Sequence, residues 1–248
     1  MVDYHNVLET IYGQGYRLSV TDVLTDDAVT LAANNKVSSI SIVDNSTHIA
    51  SNFDSLTSIG KKLSKIEMTD PEANISLSYS QYFKGTYVLD RINDNYFVSI
   101  SDAPLYNVSN LANNNHIKSM IVNGTSSMIS RTWDVLESIG PKVVGILNTT
   151  SFSSIADAIE LNINQWLNSS VLLSKFTNDS AKKFSISDAK LSDLEVSSNH
   201  DVLHDENVIA VKIRDISDVI DNFNNEDVLT ALQNSKVQEI SLVDSSVE

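Results

Sequence analysis

The chain has 248 residues, a formal charge of −15 at pH 7, 42% apolar residues and no Cys, a composition that supplies a core and excludes disulfides, Cys-ligated zinc and thiol catalysis. Ser and Asn make up roughly a quarter of the residues, and no cluster of Lys or Arg offsets the 32 acidic side chains, which excludes nucleic acid as a partner. Nothing approaches the ~18 apolar residues of a membrane-spanning helix, and residues 1–16, with Asp3 and Glu9, lack the apolar stretch of a signal peptide.

In chain order, residues 18–22, 38–44 and 63–70 alternate apolar and polar positions, are rich in β-branched side chains and end in Asp22, Asp44 and Asp70. Each reads as a strand. Between the second and third, Ile49, Phe53, Leu56 and Ile59 share one helical face. Asp44, Asn45 and Ser46 offer N-cap oxygens to that helix, and Gly60 offers the left-handed residue that ends it. A further stripe, Tyr79, Tyr82, Leu89 and Ile92, predicts another helix.

The pattern then returns. A shift of 80 residues places Tyr16 on Tyr96, Asp22 on Asp102, Asn34 and Asn35 on Asn114 and Asn115, and Ser58, Ile59 and Gly60 on Ser138, Ile139 and Gly140. The helical face returns as Ile129, Trp133, Leu136 and Ile139, and the stripe returns at a shift of 84 as Ile163, Trp166, Leu173 and Phe176. A divergent third copy opens at 184–188, and residues 211–215 and 236–244 echo 40–44 and 62–70. Residues 7–11 resemble 88–92. The predicted organisation is therefore the end of a preceding, truncated repeat at 1–15, repeat one at 16–95, repeat two at 96–183 and a partial repeat three at 184–248, an excerpt from a longer array.

Strands that each lead into a helix long enough to cross back lie parallel, with right-handed crossovers. The expected fold is α/β, a right-handed repeat solenoid of strand-helix units with a parallel sheet and three strand-helix steps per repeat of about 80 residues. A doubly wound single domain is the competing architecture.

The motifs Ser-Val-Thr-Asp (19–22), Ser-Ile-Val-Asp (41–44) and Glu-Met-Thr-Asp (67–70), together with Leu-Ala-Ala-Asn-Asn (31–35) and the run 75–82, carry a resemblance. The chain resembles the tandem-repeat regions of large secreted bacterial haemolysin-type (RTX-like) repeat adhesins. That resemblance implies an acidic, Cys-free protein, exported and extracellular or at the cell surface. The glycine-rich, Asp-containing nonapeptides that bind calcium in such proteins are absent, and 7 Gly could not supply them.

Candidate chemistry is sparse. His200 and His204 are four apart beside Asp201, Asp205 and Glu206, as metal ligands on one helix face would be, but the Glu of a zincin is missing. The strand-end carboxylates Asp22, Asp44, Asp70, Asp102, Asp188, Asp215 and Asp244 could form a ladder that binds calcium or glycan hydroxyls, or could simply cap helices. Asp44 and Asp215 stand for that ladder, and calcium for its cofactor. Gly124 and Thr150 interrupt it in the second copy. His5, His48 and His116 fall at non-equivalent repeat positions. No nucleophile elbow, Walker loop or dinucleotide fingerprint occurs, and the seven Asn-x-Ser/Thr sequons match the composition.

The function expected is a non-enzymatic structural or adhesive repeat module of a large secreted or cell-surface protein. Its partner is a cell-surface or matrix glycan or protein, or neighbouring repeats of the same chain. The alternative is a carbohydrate-binding or carbohydrate-active domain on a solenoid scaffold, with its site where the repeat symmetry breaks, at 151–158 or 197–207. An intracellular scaffold is a third reading.

Overall fold

The computed structural model describes residues 15–70, 72–93, 95–178, 182–190, 202–216 and 233–243. Among these the protein is α/β, with nine α-helices and eleven strands in three parallel sheets. Two compact units divide the chain, Met1–Ser101 with Asn115–Lys118, and Asp102–Asn114 with Ser119–Glu248.

The first unit contains β1 (Leu18–Val23), α1 (Thr25–Ala33), β2 (Val37–Asp44), α2 (Ser46–Ser51), α3 (Phe53–Ile59) and β3 (Leu63–Met68). It continues with β4 (Asn74–Leu77), α4 (Tyr79–Lys84), α5 (Thr86–Leu89) and the start of β5 (Phe97–Pro104). The strands β1, β2 and β3 lie in sequence order, β3 bridges to the chain at Ile92, and β4 pairs with β5. Ile40, Ile42 and Asp44 of β2 are buried in alternation, Val37 is buried at its start, and Ile49, Phe53 and Leu56 of the helices are fully buried. Each large apolar side chain buried this way contributes about 1.5–3 kcal/mol relative to exposure.

The second unit contains α6 (Val108–Ala112), most of β6 (Ile117–Gly124), α7 (Ser126–Ile139), β7 (Val143–Asn148), β8 (Ile159–Asn162), α8 (Ile163–Asn168) and α9 (Ser170–Leu173). It ends in β9 (Phe184–Ala189), β10 (Val208–Ile216) and β11 (Val237–Val243). Here β6 pairs with β7, which bridges to Phe176, and β8, β9, β10 and β11 again follow sequence order. Trp133, Trp166, Phe176 and Phe184 form its aromatic core.

The internal repeat is visible in the element bounds. A shift of 80 carries β2 onto β6, the helical segment 46–59 onto α7, the 3-10 turn Gly60–Lys62 onto Gly140–Lys142, and β3 onto β7. A shift of 84 carries α4 and α5 onto α8 and α9. The predicted left-handed glycines are there, Gly60 at φ 62° and Gly140 at φ 45°. Scarce cations also recur: Lys62 Nζ donates to the Ala32 and Asn34 carbonyls (2.5 and 2.9 Å), and Lys142 Nζ to those of Ala112 and Asn114 (2.6 and 3.0 Å). These ammonium groups satisfy helix-end carbonyls and oppose the negative end of the dipole.

Three details differ from the sequence reading. Each copy has a fourth strand, β4 or β8, where three strand-helix steps were expected. The stripe from Tyr79 to Ile92 is not one helix, because Gly85 separates α4 from α5. Its Cβ would overlap the Phe53 ring, so the close approach of the ring requires glycine there. The helix after β2 also breaks, at Asn52, whose Nδ2 donates to Asp26 Oδ1 (3.0 Å) and to the His48 carbonyl (3.1 Å), whereas α7 runs unbroken through Thr132.

Candidate functional site

Two of the seven strand-end acids, Asp44 and Asp70, are built into the fold as helix caps. Asp44 lies at the end of β2, 4% exposed, with both oxygens engaged. Its Oδ2 accepts from the Thr25 amide (3.0 Å) and hydroxyl (2.7 Å), at the start of α1, while Oδ1 accepts from the Asn45 amide (2.8 Å) and contacts His48 Nδ1 (3.0 Å). Burial pushes this carboxyl up, but the bonds from Thr25, Asn45 and His48 outweigh it and hold the carboxyl below its ordinary value. Asp70 lies just past β3 and accepts from the Ser46 amide (2.8 Å) and hydroxyl (2.5 Å) at the start of α2. Here too desolvation raises and the Ser46 bonds more than reverse it, leaving the carboxyl low. Each acid thus caps the helix that follows the preceding strand.

The second copy fills the same places without charge. Gly124 replaces Asp44 and Leu105 replaces Thr25, and the Leu105 side chain occupies the space a Gly124 Cβ would need. Thr150 replaces Asp70 and still receives the Ser126 amide at 2.8 Å. Capping survives the loss of the carboxylate at Thr150, and gives way to packing at Gly124.

The remaining candidates are dispersed. Asp215 is in β10, its backbone paired with Leu242 of β11. His204 is exposed in a turn before β10, and His200, Asp201 and Asp244 lie outside the described residues. Asp22 and Asp188 are both the penultimate residues of their strands and have left-handed φ, 57° and 56°, and Asp188 is 3.5 Å from Arg214. Among the described residues no group of three or more His, Asp and Glu is placed to hold a metal ion. At the symmetry break 151–158, Asp157 Oδ2 gathers the Ser153 hydroxyl (2.6 Å) and amide (3.0 Å) and the Ser154 amide (2.9 Å), which together hold that carboxyl low.

One concave feature escaped the sequence reading. In the first unit, Glu72, Asn95, Tyr96, Phe97, Asn115 and His116 line a recess of about 390 Å³. The His116 ring stacks on Tyr96 at 4.2 Å and 16°, and its Nδ1 lies 3.1 Å from the Tyr96 carbonyl. Lys118 Nζ sits 5.3 Å from the centre of the Phe97 ring. Desolvation, together with the nearby charge of Asp90 and the Tyr82 phenol, pushes the Tyr96 phenol above its ordinary value. The only signal available was the 80-residue alignment, which puts His116 where the first copy has Lys36.

No family model matches the chain, and no curated protein matches it. Among the described residues no helix is long and apolar enough to cross a membrane.

Proposed function

We propose that the chain is a non-enzymatic repeat module, a right-handed α/β solenoid that serves a structural and adhesive role within a large secreted or cell-surface bacterial protein. The observation that carries this reading is the recurrence of β2, the helical segment 46–59, β3, α4 and α5 as β6, α7, β7, α8 and α9. The side chains that differ between them, Asp44 against Gly124 and Thr25 against Leu105, differ as a packed pair. Acids that can be exchanged for an apolar pair act in folding, not in catalysis.

Consecutive strand order supports the solenoid over a doubly wound domain, because a doubly wound sheet reverses its order at a switch point. When each right-handed crossover advances in the same direction, all helices fall on one face of the sheet. Such units extend by repetition and present long surfaces suited to weak, multiplied contacts. The resemblance of the strand-end motifs to those of secreted repeat adhesins supports the extracellular setting, and the charge of −15 would keep copies in an array mutually repelling.

Immunoblotting of whole cells, surface extract and medium with an antibody to this chain tests the reading. A band far larger than 27.3 kDa outside the cell is expected, and one near 27.3 kDa inside it would overturn the proposal.

A further inference from the structure

We propose that the recess in the first unit is a binding site for a neutral pyranose sugar. Its volume, about 390 Å³, is that of a small-molecule site. Three chain segments meet there: Glu72 ahead of β4, Asn95 and Tyr96 leading into Phe97 of β5, and Asn115 and His116 ahead of β6. Tyr96, His116 and Phe97 supply aromatic surface, against which the C–H face of a pyranose packs. Glu72 accepts hydrogen bonds, and the Asn95 and Asn115 amides both donate and accept, which is the mixture that hydroxyl groups require. Among the described residues none of these three side chains is committed to another hydrogen bond. The Glu72 carboxylate disfavours an anion, and the Lys118 ammonium beside Phe97 disfavours a cation.

Two further observations single out this place. Glu72 has φ 51°, a left-handed conformation that costs a residue with a long side chain. The other two such residues, Asp22 and Asp188, sit at matching strand ends and are of a type that tolerates it, whereas Glu72 has no repeat counterpart. Backbone strain of this kind gathers at ligand sites. The first copy, moreover, has cations at the equivalent positions, Lys36 with its Nζ 4.1 Å from the centre of the Tyr16 ring and Arg17, where the second copy has the His116 and Phe97 rings. The assignment stands on the recess and does not rest on the repeat-module reading.

Amide NMR spectra of the whole chain test it, with D-glucose, D-galactose and N-acetyl-D-glucosamine as probes and acyclic sorbitol as the control. At least one of the three sugars is expected to shift the Tyr96, Phe97, Asn115 and His116 amides saturably at millimolar concentration, and sorbitol is not. Tyr96→Leu should abolish the effect. Asn115→Ala removes an exposed side chain that makes no hydrogen bond among the described residues, and should weaken binding by about three- to tenfold. Failure of all three sugars to give saturable shifts at these amides, equal shifts with sorbitol, or unchanged binding by Asn115→Ala would each overturn the proposal. The immunoblot result bears on none of these outcomes.

Discussion

The two copies of the repeat place matching strands at the same spacing by different chemistry. Where the first ends β2 in a buried carboxylate that caps α1 through Thr25, the second sets Gly124 against Leu105. Where the first packs the Phe53 ring onto Gly85, the second places the larger Trp133, whose Nε1 donates to Ser169 Oγ (2.9 Å), and Ser169 in turn donates to Glu137. A buried polar residue with all its partners and a packed apolar pair of similar shape are thus near-equivalent solutions, while a mixture of the two is not. Substitution in such a scaffold has to proceed by pairs.

Transplanting half a solution should therefore be worst. Gly124→Asp buries a carboxylate against Leu105 with no Thr to meet it and is expected to cost about 3–5 kcal/mol in urea unfolding. Adding Leu105→Thr should recover part of that loss, and no recovery would refute the pairing. Next, Gly85→Ala drives a Cβ into the Phe53 ring and the Gln81 carbonyl, an overlap expected to cost about 1–3 kcal/mol, near the upper end because the ring is fully buried. At the matching Ser169 of the second copy a Cβ is already housed, but Ala there takes away the acceptor of the buried Trp133 Nε1 and is expected to cost about 1–3 kcal/mol as well.

Acid should act more strongly on the first copy. The Asp44 and Asp70 carboxyls sit below their unfolded value of ~3.9, so the native state binds fewer protons than the unfolded one. Their contribution is complete above that value and is lost as the pH falls through the lower native ones. Double substitution Asp44→Asn with Asp70→Asn should flatten the acid limb of a stability–pH profile, whereas Gly124→Ala and Thr150→Val, which add and remove no titratable group, leave its slope alone. The smallest effect belongs to what the copies share. Gln81 donates to Asp54 (3.2 Å) and Gln165 to Asp134 (2.7 Å), each from a capping box. Alanine at either should cost about 0.5–1.5 kcal/mol, and by similar amounts.

The repeat, the first three strands and the Ile49–Phe53–Leu56 face were legible because period and register are properties of the sequence itself. The fourth strand was not, since Asn74–Leu77 supplies only four residues and runs directly into the Ser78 cap of α4. Nor were the helix breaks. Asn52 and Gly85 interrupt helical patterns for tertiary reasons, a bond to Asp26 and a ring 32 positions earlier. The recess was hidden for the same reason: its six side chains come from three segments, none of which carries a motif. Asp44 was found as a strand-end acid, but its engagement with Thr25 depends on the neighbouring strand's exit.

Consecutive strand order has a mechanical meaning. Within each three- or four-stranded sheet every strand is bonded only to those next to it along the chain, so tension applied to the two ends of a sheet loads its outermost pairing first. Extension would proceed by peeling, one strand-helix step at a time, each releasing a short length of chain while the rest stays folded. A sheet built this way would yield gradually under load, where a sheet with interleaved strands would resist and then fail at once.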